Sequence, residues 1–470
     1  MVHPSGGGAP AAGGVVVVMV PFPAQGHLNQ LLHLSRLVAD RGVGVHFVGS
    51  ATHNRQAKVR LHGWDVGAFP NIRFHDLPVP RFATPRPDPD APIRHLQPAF
   101  DASLQMQAPL ASLLRTLSAT SRRVVVVHDS LMSFAAQEAA ALPNAESYVF
   151  HSVSAFAILL FQWGARGEHE EKLHALLPGV RSNPVDGCFT PEFIDFIHRQ
   201  YRKTPPPAGR IFNTCRSVEG GIVDLLARDP LLHNTSCFAV GPLNPVVPAP
   251  SGPRHQCMEW LDRQPPGSVV YVAFGTTSSM PREQIVELAA GLERSRQRFL
   301  WVFRDADRGD IFAEEGEGDG GQRHLLLPSG YERRVAGVGM VVRGWAPQLD
   351  VLGHPSTGLF MSHCGWNSCM ESLSAGVPMA AWPMHSDQPK NALLVTEVLK
   401  VGVAVRDWAR REETVTSAAV EDAIRRVMDS EEGREIRTRT KAVRDAIHRA
   451  VSKGGCSHSA MESFVSHIIR

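Results

Sequence analysis

From Trp345 to Gln388 the chain reads WAPQLDVLGHPSTGLFMSHCGWNSCMESLSAGVPMAAWPMHSDQ. Within it a short apolar run, Gly358 to Ser362, stops abruptly at His-Cys-Gly-Trp-Asn-Ser, and a helical pattern begins at Cys369. The pattern predicts a buried strand, a glycine-containing turn and a helix. The free backbone N–H groups at a helix N-terminus make an anion site that suits a diphosphate. His363, Asn367 and Ser368 add donors there, Trp345 offers a ring for a base to stack on, and Glu371 can accept from ribose hydroxyls. A second apolar run, Met379 to Trp382, leads into Pro-Met-His-Ser-Asp-Gln and brings Asp387 and Gln388 to the same crevice. Sugars are recognised mainly through their hydroxyls, so a carboxylate beside an amide fits one.

Outward from this stretch the same alternation recurs. Towards the N-terminus, strands are predicted at Val15–Val20, Val43–Val48, Val124–His128, Ser147–Phe150 and Arg210–Asn213, with a helix at Leu28–Arg41. Val124–His128 is a solid β-branched run, as a strand covered on both faces requires. Gly241 to Pro253, GPLNPVVPAPSGP, reads as a linker. Alternation restarts at Val269–Phe274, with a helix at Pro281–Glu293 and a strand at Phe299–Phe303. Two helices, near Ser417–Asp429 and Glu432–Ser452, and an apolar tail, Met461–Ile469, close the chain. The fold expected is α/β: two facing Rossmann-like parallel-sheet domains, 1–245 and 254–452, with ligands in the cleft at the carboxyl ends of the strands. The Gly-, Ala- and Pro-rich first dozen residues read as a tail, Ala165–Arg181 as a helical insert, and the acidic stretch Asp305–Gln322 as a solvated loop.

The first strand runs into Pro21-Phe22-Pro23-Ala24-Gln25-Gly26-His27, and the Val124–His128 strand into Asp129. A histidine at a strand's carboxyl end titrates near neutrality and can take a proton from an attacking hydroxyl. Asp129, on a strand that can neighbour the first, could fix the tautomer of His27 and stabilise its imidazolium. Thr276, in Phe274-Gly275-Thr276-Thr277, follows a strand and precedes a helix, within reach of the same diphosphate. Asp88-Pro89-Asp90 and Asp305-Ala306-Asp307 have the spacing of metal-binding pairs but sit in loops of biased composition and read as solvated. His128, His363 and His385 lack zinc-ligand spacing, and no metal is expected.

The 470 residues are 43% hydrophobic and 20% charged, with a net charge of +2, an ordinary globular balance that implies neither a nucleic-acid partner nor an anionic membrane surface. Val15–Val20 is too short for a span and lacks a basic flank, so no membrane association is expected and a cytoplasmic location is. Seven cysteines without a Cys-x-x-Cys read as reduced thiols, and Asn234-Thr235-Ser236 as an unused glycosylation acceptor. Neither half carries Gly-x-Gly-x-x-Gly after its first strand, which argues against a dinucleotide oxidoreductase. A glycosidase would have no use for a diphosphate site, and a mere sugar-nucleotide binder none for a base.

The Trp345–Gln388 run resembles, without a gap, the plant secondary-product signature of family 1 UDP-glycosyltransferases. The resemblance implies the GT-B fold, with a last helix from about 453 to 470 crossing back onto the first domain. It implies that Trp345, Ala346 and Gln348 hold uracil and ribose, Glu371 the ribose hydroxyls, His363, Asn367 and Ser368 the diphosphate, and Trp366, Asp387 and Gln388 the sugar. It assigns His27 as base and Asp129 as its partner. The family often has Ser-Phe-Gly-Ser where this chain has Ala273-Phe274-Gly275-Thr276, which keeps a hydroxyl. Gln388 goes with glucose in this family, so UDP-glucose is the expected co-substrate, with no cofactor. Met19–Leu37 (MVPFPAQGHLNQLLHLSRL), Val127–Ser130, Phe150–Phe156, Ile211–Arg216 and Ala273–Thr277 look like the zeatin O-glucosyltransferase group. This implies inverting O-glucosylation of a zeatin-type cytokinin by a monomer, with a flavonoid or phenolic as the alternative acceptor. Phe22, Met132, His151, Ser154 and Phe156 are the acceptor-lining candidates.

Overall fold

The computed structural model describes residues 13–167, 169–178, 186–201, 204–229, 235–246, 254–313 and 326–470. The first dozen residues, the end of the helical insert, Asn234, the linker from 247 to 253 and the acidic stretch from 314 lie outside the described residues. Two all-parallel sheets carry the rest. The first has seven strands: β1 (Val15–Val20), β2 (Gly44–Gly49), β3 (Ile72–Asp76), β4 (Arg123–Asp129), β5 (Ala145–His151), β6 (Gly209–Phe212) and β7 (Ser236–Ala239), ordered 3-2-1-4-5-6-7. The second has six: β8 (Val269–Ala273), β9 (Arg298–Val302), β10 (Gly339–Val342), β11 (Thr357–Ser362), β12 (Met379–Ala381) and β13 (Gly402–Ala404), ordered 10-9-8-11-12-13.

The valine runs explain why these strands are central. Val125 and Val127 enter one core with Val17 and Met19, while Val124 and Val126 enter another with Val16 and Val18. Alternate side chains thus leave both faces of the sheet, and helices cover both. In each sheet the first strand of its half lies beside the fourth, β1 on β4 and β8 on β11. At such a switch point the outgoing loops diverge and leave a crevice. The segments after β1, β8 and β11 carry His27, Thr276, His363, Asn367 and Ser368, β4 ends in Asp129, and the segments after β10 and β12 bring Gln348, Asp387 and Gln388.

Two helices begin three residues earlier than the apolar periodicity predicts. One spans Gln25–Ala39, after extended Ala24, and the other Trp366–Ala375, after Gly365. His27, Asn367 and Ser368 therefore sit in first turns, where an α-helix lacks intrahelical partners for its N–H groups; the His27 N–H is met by the Ala24 carbonyl at 2.9 Å.

After helix Glu431–Val451 the chain returns to the first half. Helix Cys456–Ile469 packs against β7, and its Met461, Phe464, Val465 and Ile468 complete the core that holds Val17, Val125 and Phe150. Phe464 meets Tyr148 at 5.5 Å and Phe238 at 5.4 Å, both edge to face. A further core joins the halves, packing Phe156, Leu160 and Phe212 with Trp366, Leu373 and Leu394. Truncating a fully buried phenylalanine costs about 3–5 kcal/mol. Phe464→Ala should accordingly lower the urea midpoint of the first domain's transition, followed by fluorescence and circular dichroism. An unchanged midpoint would show that the last helix adds nothing to that core.

Candidate active site

One cavity opens between the sheets and is lined from both sides, by Phe22, Gly26 and His27 of the first half and by Thr276, Trp345, His363 and Asp387 of the second, among others. Its second-half wall is built around His363. The ring is wedged between two loops: a Cβ added at Gly275 would lie 2.4 Å from His363 Nε2, and one added at Gly365 would lie 2.5 Å from it. Gly275 also has φ +75°, so only glycine fits there without strain. Burial lowers the His363 pKa to about 4, which keeps the ring neutral. Its buried Nδ1 has no hydrogen-bond partner among the described residues.

Gln348 orders the neighbouring carboxylate. Its Nε2 donates to Glu371 Oε2 at 2.6 Å and to Ser368 Oγ at 3.0 Å, and its Oε1 accepts from the Tyr271 hydroxyl at 3.3 Å. Burial pushes the Glu371 carboxyl up to about 7, against the pull of Gln348. Ala346 is buried in the wall, whereas Trp345 is 42% exposed at the rim. Asn367 Nδ2 donates across the cleft to the Gly26 carbonyl at 2.9 Å, and its second N–H remains available. The Trp366 indole N–H is engaged by the Asn213 carbonyl at 2.7 Å, so a sugar hydroxyl here would meet first-turn backbone rather than the indole. Gln388 Oε1 accepts from the backbone N–H groups of Met384 (2.8 Å) and His385 (3.1 Å), and its amide nitrogen lies 3.4 Å from both ring nitrogens of His385 while lining the cavity. Asp387 precedes the helix Gln388–Leu393 without a side-chain capping bond and accepts from the Asn391 amide at 2.6 Å, and burial raises its pKa.

Opposite stands His27, 22% exposed, with Nδ1 2.7 Å from Asp129 Oδ2. Asp129 is fully buried and also accepts from Ser152 Oγ (2.6 Å) and the Leu131 N–H (2.9 Å). Ser152 was invisible to motif reasoning because nothing in its local sequence points to β4. Burial alone would lower the His27 pKa; the Asp129 carboxylate, by charge and hydrogen bond, and more weakly Asp387 outweigh it, and the net shift is upward. Asp129 shifts down despite its burial, held by the His27 charge and by its three hydrogen bonds. With Nδ1 turned to Asp129, Nε2 is the ring nitrogen left for a ligand.

Beyond His27 the wall turns aromatic. Phe22 lies 5.0 Å from the His27 ring and 4.5 Å from Phe100, and Phe193 packs 5.6 Å from Phe100. Ile93 and Leu96 complete this end. Of the five acceptor candidates only Phe22 lines the cavity. Met132 is buried in the core beneath it and accepts weakly from Ser103 Oγ. His151 stacks on Phe212 at 4.8 Å, Ser154 caps the helix Ala155–Ala165 and donates to Asn391, and Phe156 lies in the core shared by the halves. Past the end of β5 it is Ser152 and Val153 that reach the cavity.

The segment from Asp305 is a second correction. Asp307 is not solvated: its side chain is 8% exposed and is paired with Arg60 and Arg304, while Asp305 accepts from Ser279 Oγ. Asp88 stays at the surface, where its side chain accepts from the Asp90 N–H at 3.0 Å. Among the described residues no cluster of three or more His, Cys, Asp or Glu is arranged to hold a metal, and no helix is long and apolar enough to cross a membrane.

Two facing parallel sheets, an anion-binding helix N-terminus on one side and a His–Asp pair on the other define a glycosyltransferase of the GT-B fold. Residues 13–245 match the family described as "Glycosyltransferase, N-terminal domain" and residues 236–442 "UDP-glucoronosyl and UDP-glucosyl transferase". The chain is 48% identical over 462 residues to the zeatin O-glucosyltransferase of Phaseolus lunatus, covering 97% of each. It is 47% identical to the zeatin O-xylosyltransferase of Phaseolus vulgaris, covering 97% of this chain and 98% of that one. The crystal structure of a UGT transferase from Siraitia grosvenorii in complex with UDP is similar, with TM-score 0.77 and 27% identity over 97% of this chain and 100% of that chain. The chain belongs to the plant family 1 UDP-glycosyltransferases.

The family resemblance implies that ribose hydroxyls donate to Glu371, whose carboxyl burial pushes up to about 7. Donor binding should then strengthen as pH rises through about 7 and the carboxyl ionises. From pH ~6 to ~8 the Kd for UDP-glucose should fall about tenfold by calorimetry, and Glu371→Gln should flatten that dependence while weakening binding. A wild-type Kd independent of pH would remove Glu371 from the ribose site.

Proposed function

We propose that this protein transfers glucose from UDP-glucose to the side-chain hydroxyl of a zeatin-type cytokinin, with inversion and without a metal. The observation that carries this reading is the His27–Asp129 pair, 2.7 Å apart, in the same cavity as the donor-loop residues. His27 Nε2 takes the acceptor's hydroxyl proton as the oxygen attacks C1 of the sugar. The new C1–O bond forms as the bond from C1 to the diphosphate breaks and UDP departs. Asp129 stabilises the imidazolium so formed. Charge on the leaving diphosphate falls to the first-turn N–H groups of helix Trp366–Ala375, with His363, Asn367, Ser368 and Thr276 beside them. A single displacement turns the α-linked sugar of the donor into a β-linked product.

The acceptor assignment is supported by the two relatives named above, which share zeatin in their names and differ in the sugar, and by the aromatic wall of Phe22, Phe100 and Phe193, mutually tilted rings next to the base. That wall would also take a planar phenolic. Glucose is supported by the Gln388 amide.

Assay of cis- and trans-zeatin and a phenolic panel with UDP-glucose and UDP-xylose tests this reading. A β-O-glucoside of zeatin is the expected main product, formed at full rate in excess EDTA. Faster turnover of flavonoids, N-glucosylation of adenine, or preference for UDP-xylose would each reject part of it. An α-linked product would exclude single displacement.

His27→Ala should lose about 10²–10⁴-fold in turnover while UDP binding persists. The pH sign follows from the raised His27 pKa. The base works only when neutral, so kcat/KM should rise with pH through a value above 6.5. In Asp129→Asn the burial term is unopposed by that charge, and the acid limb should move to lower pH while the plateau rate drops. An unmoved limb would exclude His27 as the titrating base.

A further inference from the structure

Arg60 closes the helix Ala51–Val59 in the first half, and its guanidinium reaches across the cleft to Asp307 in the second. The pairing is bidentate, with Arg60 Nη2 2.9 Å from Asp307 Oδ1 and Nη1 on Oδ2. Arg304 meets Oδ1 from the second half, and its Nη1 lies 3.4 Å from the Gly275 carbonyl. The three side chains are only 12%, 18% and 8% exposed, for Arg60, Arg304 and Asp307 respectively. Asp307 is itself fixed by its backbone: its N–H donates to the Thr276 carbonyl at 2.7 Å, and its carbonyl lies 2.9 Å from His95 Nε2. Arg60 also lies over Trp345, its guanidinium carbon 4.8 Å from the ring centroid, and both arginines line the cavity.

One carboxylate between two guanidiniums leaves a net positive charge in a partly desolvated wall, where it acts on an anion more strongly than it would in water. That charge stands between the loop carrying Thr276 and the ring of Trp345, at the nucleotide end of the cavity. We propose that Arg60 is a donor-binding residue supplied by the first half, held at the nucleoside diphosphate by Asp307 as its positioning residue. Closing the cleft and holding the donor are then one event. The inference rests on reading this cavity as the UDP-sugar site.

The test uses the full chain and its Arg60→Ala, Arg60→Lys and Asp307→Asn variants. Calorimetry gives the Kd for UDP, steady-state kinetics give the KM of donor and acceptor separately, and thermal scans give the midpoint with and without UDP. Loss of a charge-assisted contact corresponds to about 10- to 100-fold. Arg60→Ala should raise the UDP Kd and the UDP-glucose KM by that order, flatten their salt dependence, and leave the acceptor KM and the acid limb of the pH profile unmoved. Arg60→Lys should recover part of the loss, since charge stays but the fork goes, and Asp307→Asn should shift donor KM in the same direction. A UDP Kd within twofold of wild type overturns the proposal. So does tighter UDP binding, which would make Arg60 an occupant of the base's place. A lower midpoint without UDP combined with an unchanged UDP-induced rise would leave only a structural brace and overturns it too. If Arg60→Ala does not fold, Arg60→Lys and Asp307→Asn decide by the same readouts. Failure of the wild type to bind UDP would refute the site reading, not this assignment.

Discussion

The hydrogen bond from the Asn367 amide to the Gly26 carbonyl joins the first turns of two helices that approach each other from opposite sheets. Each first turn has backbone N–H groups without intrahelical partners, and each is preceded by the loop that leaves a switch point. The bond brings the residue before His27 into contact with the donor-side helix, and the distance between proton acceptor and anion site follows from it. Trp366 to Asn213 and Ser154 to Asn391 repeat the device on either side. In each case a polar group makes a hydrogen bond to the other half, while Ser154 and Asn391 also bond within their own halves. A buried donor or acceptor left without a partner costs about 1–3 kcal/mol, so a shifted docking of the two sheets would lose several such bonds together.

Three carboxyls around the cavity show how partners, not burial alone, set charge. Asp129, Glu371 and Asp387 all pay desolvation. Asp129 faces the His27 ring and accepts three hydrogen bonds, and its pKa falls. Glu371 and Asp387 face chiefly amides, Gln348 and Asn391, and theirs rise. Neutral partners soften the desolvation of a carboxylate but do not cancel it. Asp129 thereby keeps its negative charge beside His27, while Glu371 and Asp387 are carboxyls whose ionisation a ligand in the cavity would shift.

The interior of both sheets was legible in the sequence, and the edges were not. Every strand flanked on both sides was predicted, because burial on two faces demands the unbroken apolar runs of β1, β4, β8 and β11. The strands that escaped, β3, β7, β10 and β13, are the four edges. They are short or half-exposed, as in IRFHD and GMVV, and their composition resembles that of loops. Periodicity also missed the first turns of helices, where polar residues such as His27 and Asn367 break the apolar repeat. On the donor side, the residues assigned from one contiguous run do line one cavity. The acceptor side draws on Ile93, Leu96, Phe100 and Phe193, distant in sequence from one another and carried by segments with no motif. Reading outward from strand β5 therefore selected Phe156 and Ser154, which pack inward. Asp307 was misread because its acidic surroundings suggested solvent, while the two arginines that bury it are 247 and 3 residues away.

The last helix, Cys456–Ile469, belongs to the first sheet's core. A ribosome releases the chain from the N-terminus, and the first half can form its seven strands long before that helix exists. Until then the face of Tyr148, Phe238 and Val240 is uncovered. Domains usually mature in order of synthesis; here the earlier one stays unfinished until Cys456–Ile469 has been made. The nascent first half must keep this apolar face from other chains throughout synthesis of the second, and a message truncated before Cys456 would yield both sheets with that face permanently open.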